Sequence, residues 1–485
     1  MPVSLSHKKN VIYNLIGQIL PIVAGIISIP IIIKGLGTER FGIISLTWMI
    51  IGYFSLFDLG LGRALTQAVA EKIGNKKSHE IPAIFWTSLT FMATIAAAGS
   101  ILIILLAEPL VSRIFKISPL LQIECLHAFY VLAISIPSVI ITSALSGFLA
   151  AYNRFDIVNA IRIPMSISML IAPLIVLPYT QSLVVIIALM TFVRIIFCCI
   201  HLYFCLRVEP QLVKTKTLNR SAIMPLLKFG GWMTISNIVG PIMVNFDRFV
   251  IGSYLSVTAV AYYTTPFEMI TKLWMIPNAI NGVTFPLYAA SYNQNKEECA
   301  RIFTRSIMAI FFSIYPIILI VITFAHLGMS LWVGGEFASH SYSVLQWLAI
   351  GVYLNCLAQV PYTLIQGANN PDITCKLHLM ELVIYVPILF ILLQKFGIEG
   401  AAIAWVLRTF IDTVLLFYIA VKKKTILKAG LNKALLLMGL AIAPLIQMVV
   451  NSSEATQYGI FTIVVMLFVA ALCYVKPLKY LYVRN

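Results

Sequence analysis

Ten ionisable side chains stand inside long apolar runs of this 485-residue chain: Asp58, Asp247, Glu268, Glu381 and Asp412, with Arg63, Arg194, Arg248, Lys272 and Arg408. In hydrocarbon such a group costs about 2.5–3.5 kcal/mol at a helix centre on insertion scales, so it must be paired, wet or in use. Carboxylates placed there bind protons or cations, and guanidinium or ammonium groups hold anions. Asp58, Glu268 and Asp247 are the candidates for coupling an ion. Glu268 with Lys272, and Arg408 with Asp412, are one helical turn apart, the spacing of a structural ion pair. Asp247 and Arg248 fall near the end of an apolar run, where side chains can snorkel to water.

Polar residues line up with these charges. Thr264, Glu268, Thr271, Met275, Asn278 and Gly282 are spaced 4, 3, 4, 3, 4, within about 40° of one line on a helix turning 100° per residue. Such a stripe lines a wet cavity or packs against a neighbouring helix, and the charge at Glu268 favours the cavity. Thr47, Ser55, Asp58, Gly62 and Thr66 share a sector of about 100°, with Arg63 and Gln67 beside it. Prolines at 21, 30, 241, 277 and 286 predict kinks or local openings of their helices.

The elements that carry these residues follow from composition. The chain is 60% hydrophobic and 11% charged, against about 25% charged for a soluble protein. Too few charges remain to coat soluble domains, which excludes a soluble enzyme, a nucleic-acid-binding protein and a disordered chain. A membrane helix needs about 20 largely apolar residues, and fourteen such stretches follow one another. They lie at 11–33, 41–70, 81–107, 125–151, 158–178, 183–206, 229–252, 259–290, 301–325, 341–367, 377–394, 400–421, 433–450 and 457–475. The first is too long for a signal-peptide core and lacks a small-residue cleavage site, so it is expected to stay.

With the N-terminus inside, 24 of the 34 Lys and Arg fall on cytoplasmic segments and five (Lys34, Arg40, Arg113, Lys116 and Lys395) on outer loops. That bias predicts both termini cytoplasmic and accounts for the net charge of +16 without nucleic acid. Lys422, Lys423 and Lys424 read as an anchor at anionic lipid. The loops are too short for a catalytic domain. No phosphate loop, HExxH or dinucleotide fingerprint is present, and the eight cysteines show no metal or disulfide spacing, so no metal site or cofactor is expected.

Spans 1–6 and 7–12 both start on the cytoplasmic side, which makes them parallel repeats about an axis normal to the membrane, an arrangement common among transporters. The expected fold is an all-α polytopic membrane protein of about fourteen helices. It comprises an N-terminal six-helix bundle (1–210), a second (211–424) around a central cavity, and two appended helices (425–485).

Three motifs carry a resemblance: Gly37-Thr38-Glu39-Arg40-Phe41-Gly42, Phe57-Asp58-Leu59-Gly60-Leu61-Gly62, and Asn245-Phe246-Asp247-Arg248-Phe249-Val250-Ile251-Gly252. They resemble the oligosaccharide flippases of the multidrug/oligosaccharidyl-lipid/polysaccharide exporter superfamily, over about residues 8–420. The resemblance implies a non-enzymatic transporter of the bacterial inner membrane. It flips undecaprenyl-diphosphate-linked oligosaccharide, of the O-antigen or capsule-repeat type, by alternating access with possible proton or sodium coupling. Its implied partners are membrane lipids, a repeat-unit polymerase and a chain-length regulator. By position Arg63, Lys272 and Arg194 engage the diphosphate, with Arg248, Gln67 and Asn278 as further substrate-binding candidates. Flippases of peptidoglycan precursors carry cationic residues on their first helix; here that helix has only Asn14 and Gln18 as polar interior residues. The alternatives are a multidrug exporter of the same superfamily, whose cavity needs an excess of carboxylates, and a glycan polymerase or glycosyltransferase, which needs a large outer loop.

Overall fold

The computed structural model describes residues 4–54, 61–75, 77–214, 245–368, 370–422, 439, 441–450 and 453–475. These are helical, with no strand among them. Eight stretches of the described residues are long and apolar enough to cross a membrane. The expected span at 229–252 lies largely outside the described residues, as do Asp58 and Pro241, whereas that at 433–450 is described at 439 and 441–450. The chain divides into two compact units, Met1–Ala261 and Tyr262–Asn485.

The first unit holds α1 (Ser4–Leu36), α2 (Thr38–Phe54), α3 (Leu61–Gly74), α4 (Ile81–Pro109), α5 (Pro119–Ala151), α6 (Phe155–Val176), α7 (Leu183–Val208), the single turn α8 (Gln211–Lys214), α9 (residues 245–254) and the start of α10 (Val257–Ile270). Its centre is α5, which packs against α3, α4 and α7 while α1 packs on α6. Small side chains on α5 (Ala128, Ala133 and Ala144), all fully buried, permit that close approach. Polar groups tie the crossings. Ser100 Oγ donates to the Ala133 carbonyl at 2.8 Å, and Thr66 Oγ1 to that of Gly147 at 2.9 Å. Beyond the end of α5, Tyr152 donates to Glu209 at 2.8 Å. Burial, then that carboxylate, holds the phenol above its usual range.

The second unit holds α11 (Met275–Gln294), α12 (Lys296–Thr323), α13 (Ala325–Val333), α14 (Gly335–Gly367), α15 (Pro371–Lys422), α16 (Ala441–Val450) and α17 (Glu454–Val475). Here α14 is central, packed by α11, α12, α13 and α15, with Leu348, Val352, Tyr353 and Leu357 wholly buried. The sequence places 377–394 and 400–421 in separate spans, and α15 does reverse between them, at Gly397 (φ 58°, ψ −139°). That conformation is one only glycine adopts freely. The short helix α13 occupies a stretch read from sequence as a loop. Its nine residues are mostly apolar, but too few to register as a span.

The stretch 259–290, expected as one helix, is interrupted by a 3₁₀ turn at Thr271–Trp274. Pro277 explains the break. It has no N–H to bond the carbonyl four residues back, Leu273, so the preceding turn tightens to i→i+3 bonding. Four residues at 120° rather than 100° rotate the helix beyond them by about 80°.

Candidate functional site

At one end of the first unit the motif beginning at Gly37 builds a junction. Glu39 Oε1 accepts from the Ser118 backbone N–H at 2.8 Å, capping the start of α5. Arg40 bridges Glu124 at 3.2 Å, and the other Glu124 oxygen accepts from the Leu183 N–H at 2.5 Å, holding the start of α7. Phe41 is buried, and Gly42 lies so close to the Val257 carbonyl that an added methyl group would overlap it. This motif is a structural clamp. It carries no free charge for a ligand.

Asp247 and Arg248 sit beside that junction on α9, 0% and 5% exposed, with Asp247 Oδ1 accepting from the Arg248 N–H at 2.7 Å. Their expected snorkelling is therefore corrected: both are buried. Tyr53 of α2 stands beside them, and the segment after α4 packs further along the same helix. There Phe115 packs on Phe249 at 5.4 Å, and the Lys116 N–H bonds the Gly252 carbonyl at 3.1 Å.

Arg63 lies at the start of α3, and its side chain is outside the described residues, while Gln67, one turn on, is exposed. Arg194 stands in the middle of α7 with its Nε buried and without a hydrogen-bond partner.

In the second unit, Lys272 Nζ lies 3.3 Å from Glu268 Oε2, both side chains about half exposed. The six-residue stripe does not stay on one line. Thr264 and Thr271 are buried, whereas Asn278 and Gly282, beyond the 3₁₀ turn, are exposed. The buried line of α11 is instead Asn281, Thr284 and Tyr288. Asn281 Nδ2 donates to Gln359 Oε1 on α14 at 3.5 Å, and Gln359 Nε2 to Asn355 Oδ1 at 3.5 Å.

The largest departure is on α15. Arg408 does not make the expected bridge to Asp412; its guanidinium lies over Tyr385 and Trp405, 5.7 and 5.8 Å from the ring centres. The ionic contact of Asp412 is His378 Nε2 at 3.9 Å, from the facing leg. Glu381, on that leg one turn from His378, is 2% exposed. Ligand-type atoms of His378, Glu381 and Asp412 all lie within 4.8 Å of one another. Their types would suit a metal; on its other side Glu381 lines a small crevice with Tyr385 and Arg408 that has room for about one water. Glu381 was evident in sequence as an interior acid. His378 was not, because a histidine near a helix end raises no alarm until the hairpin brings a carboxylate to it.

Comparison with known proteins places this architecture. The family model described as polysaccharide biosynthesis protein matches residues 7–292. A Shigella flexneri protein named "Putative O-antigen transporter" is 32% identical over 415 residues, 85% of this chain and 97% of that protein. Two solved structures share the fold at low identity. The inward-closed lipid II flippase MurJ has a TM-score of 0.72 and 13% identity, covering 96% of this chain and 99% of that one. An inward-facing multidrug resistance MATE family transporter has 0.73 and 16%, covering 86% and 96%. With a family match over more than half its length and a relative matched almost end to end, the chain is a membrane transporter, not an enzyme, and belongs to the polysaccharide biosynthesis protein family.

Proposed function

We propose that the chain flips undecaprenyl-diphosphate-linked oligosaccharide repeat units from the inner to the outer leaflet of the bacterial inner membrane by alternating access. The 32% identity across 97% of the Shigella flexneri protein carries this reading. The accompanying topology is fourteen spans with both termini cytoplasmic, as two six-helix bundles divided near residue 210 and two appended helices from residue 425.

The physical problem suits such a machine. A sugar–diphosphate headgroup cannot cross hydrocarbon, because its hydroxyls and charges would lose their hydrogen-bond partners, whereas the polyprenyl tail never needs to leave it. Arg63, Arg194, Arg248 and Lys272 serve as the cationic groups for the diphosphate, and Gln67 and Asn278 as polar contacts for sugar. The unsatisfied Arg194 Nε supports the first assignment. Lys272 reaches a headgroup by exchanging Glu268 for phosphate oxygens. With the interior negative, moving about two negative charges outward releases about 4–5 kcal/mol at roughly 100 mV. Asp58, Glu268 and Asp247 are candidates for coupling the return step to a proton or sodium ion, and a repeat-unit polymerase and chain-length regulator would act on the product.

Deleting the gene tests the reading. Lipid-linked repeat units accumulate on the inner leaflet and surface polysaccharide is lost, both restored by the wild-type gene. Unchanged surface polysaccharide with no accumulated intermediate would overturn it.

A further inference from the structure

Two buried carboxylates on facing legs of one hairpin, with a histidine at their rim, have no part in the function argued so far. Glu381 is 2% exposed and Asp412 6% exposed, and neither Glu381 oxygen nor Asp412 Oδ1 has a hydrogen-bond partner. Two ionised carboxylates this close in dry packing repel, and each has lost its water, so one proton shared between them is the stable state. The charge count agrees. Two carboxylates and Arg408, which stays charged, leave one negative charge, and a single proton brings the cluster to neutrality. A divalent metal would leave a net positive charge, beside the guanidinium of Arg408 that lines the crevice at Glu381.

An entry path is also in place. His378 lies seven residues from the start of α15, about 10 Å along the helix. Its side chain is 27% exposed, and its ring stacks on Tyr362 of α14 with centres 5.9 Å apart. Tyr362 also faces Asp412, with Cys375 on the far side of Tyr362.

We propose that Glu381 and Asp412 form a binding site for one proton, reached through His378. His378 takes a proton from water at Nδ1 and releases one from Nε2 to Asp412. The new O–H donates to a Glu381 oxygen, and the imidazole is neutral again. One proton enters, and the cluster goes from one negative charge to none. Use of this site to drive transport rests on the flippase reading; occupancy of the site does not.

Infrared difference spectroscopy on the full-length protein in lipid nanodiscs, titrated with pH, tests it. A protonated-carboxyl C=O band amounting to one proton is expected in the wild type. It is absent in both E381Q and D412N, because each amide removes one half of the shared site. H378Q retains the band but fills at least tenfold more slowly after a pH jump. Folding of the variants is checked by monodisperse elution and an unchanged Tm; should one fail, the wild-type titration and H378Q kinetics still decide. A band that persists in E381Q and D412N overturns the proposal. So does stoichiometric uptake of zinc or manganese that abolishes the band in the wild type. In proteoliposomes, wild-type flipping responds to a pH gradient and D412N does not. Absence of any wild-type flipping refutes the flippase reading and leaves the infrared result intact.

Discussion

At residue scale, Gly42 and the Glu268–Lys272 pair make opposite kinds of demand. Gly42 meets the Val257 carbonyl backbone to backbone, so G42A is expected to destabilise by about 1–3 kcal/mol through overpacking. G52A, at a helical glycine with open space around it, is expected to hold or slightly raise the Tm. Thermal unfolding in detergent distinguishes the two. The Glu268–Lys272 pair is half exposed, so its strength is that of a surface bridge, about 0.2–1 kcal/mol. If Lys272 leaves Glu268 to meet a diphosphate, E268Q tightens binding of undecaprenyl diphosphate by up to about fivefold and K272Q weakens it. Equal effects of the two variants would place Lys272 outside the binding path. The pair itself was legible from its i,i+4 spacing. The loss of the Arg408–Asp412 bridge was not, because that spacing permits contact without excluding stronger competitors. Here Arg408 lies over Tyr385 and Trp405, and Asp412 faces His378.

At the scale of elements, the 3₁₀ turn at Thr271–Trp274 decides which residues α10 and α11 present together. P277A restores the missing N–H and is expected to let the turn relax to α-helix, rotating Asn278 and Gly282 back by about 80°. Maleimide labelling of N278C should then change severalfold between the Pro277 and P277A backgrounds, and flipping should fall. Unaltered labelling would mean that packing, rather than the proline, holds the turn. Pro277 was visible in the sequence as a source of a kink, yet the stripe was drawn at a constant 100° per residue. The phase error therefore began at the turn and displaced Asn278 and Gly282. The Gly397 reversal was easier to read, because Lys395 and Glu399 interrupt two apolar runs there.

For the whole molecule, exposure has two meanings, since apolar side chains face lipid where helices span and water where they end. Leu105, late in α4, is 68% exposed, and Tyr179, between α6 and α7, is 87% exposed. L105K is expected to lower the membrane-integrated yield, at about 2.5–3.5 kcal/mol for a charge deep in lipid, whereas Y179K is tolerated because a terminal lysine snorkels. Equal yields would place Leu105 at the surface of the bilayer. Membrane residence and an all-helical chain were inescapable from composition, because uncharged runs of about twenty residues satisfy their backbone in hydrocarbon only as helices. The pairing of the interior charges was not, since Glu381 and Asp412 are 31 positions apart in the chain. No periodicity along one helix can say which facing helix a carboxylate meets; that depends on where the hairpin turns and how its legs register, which is settled only when side chains pack.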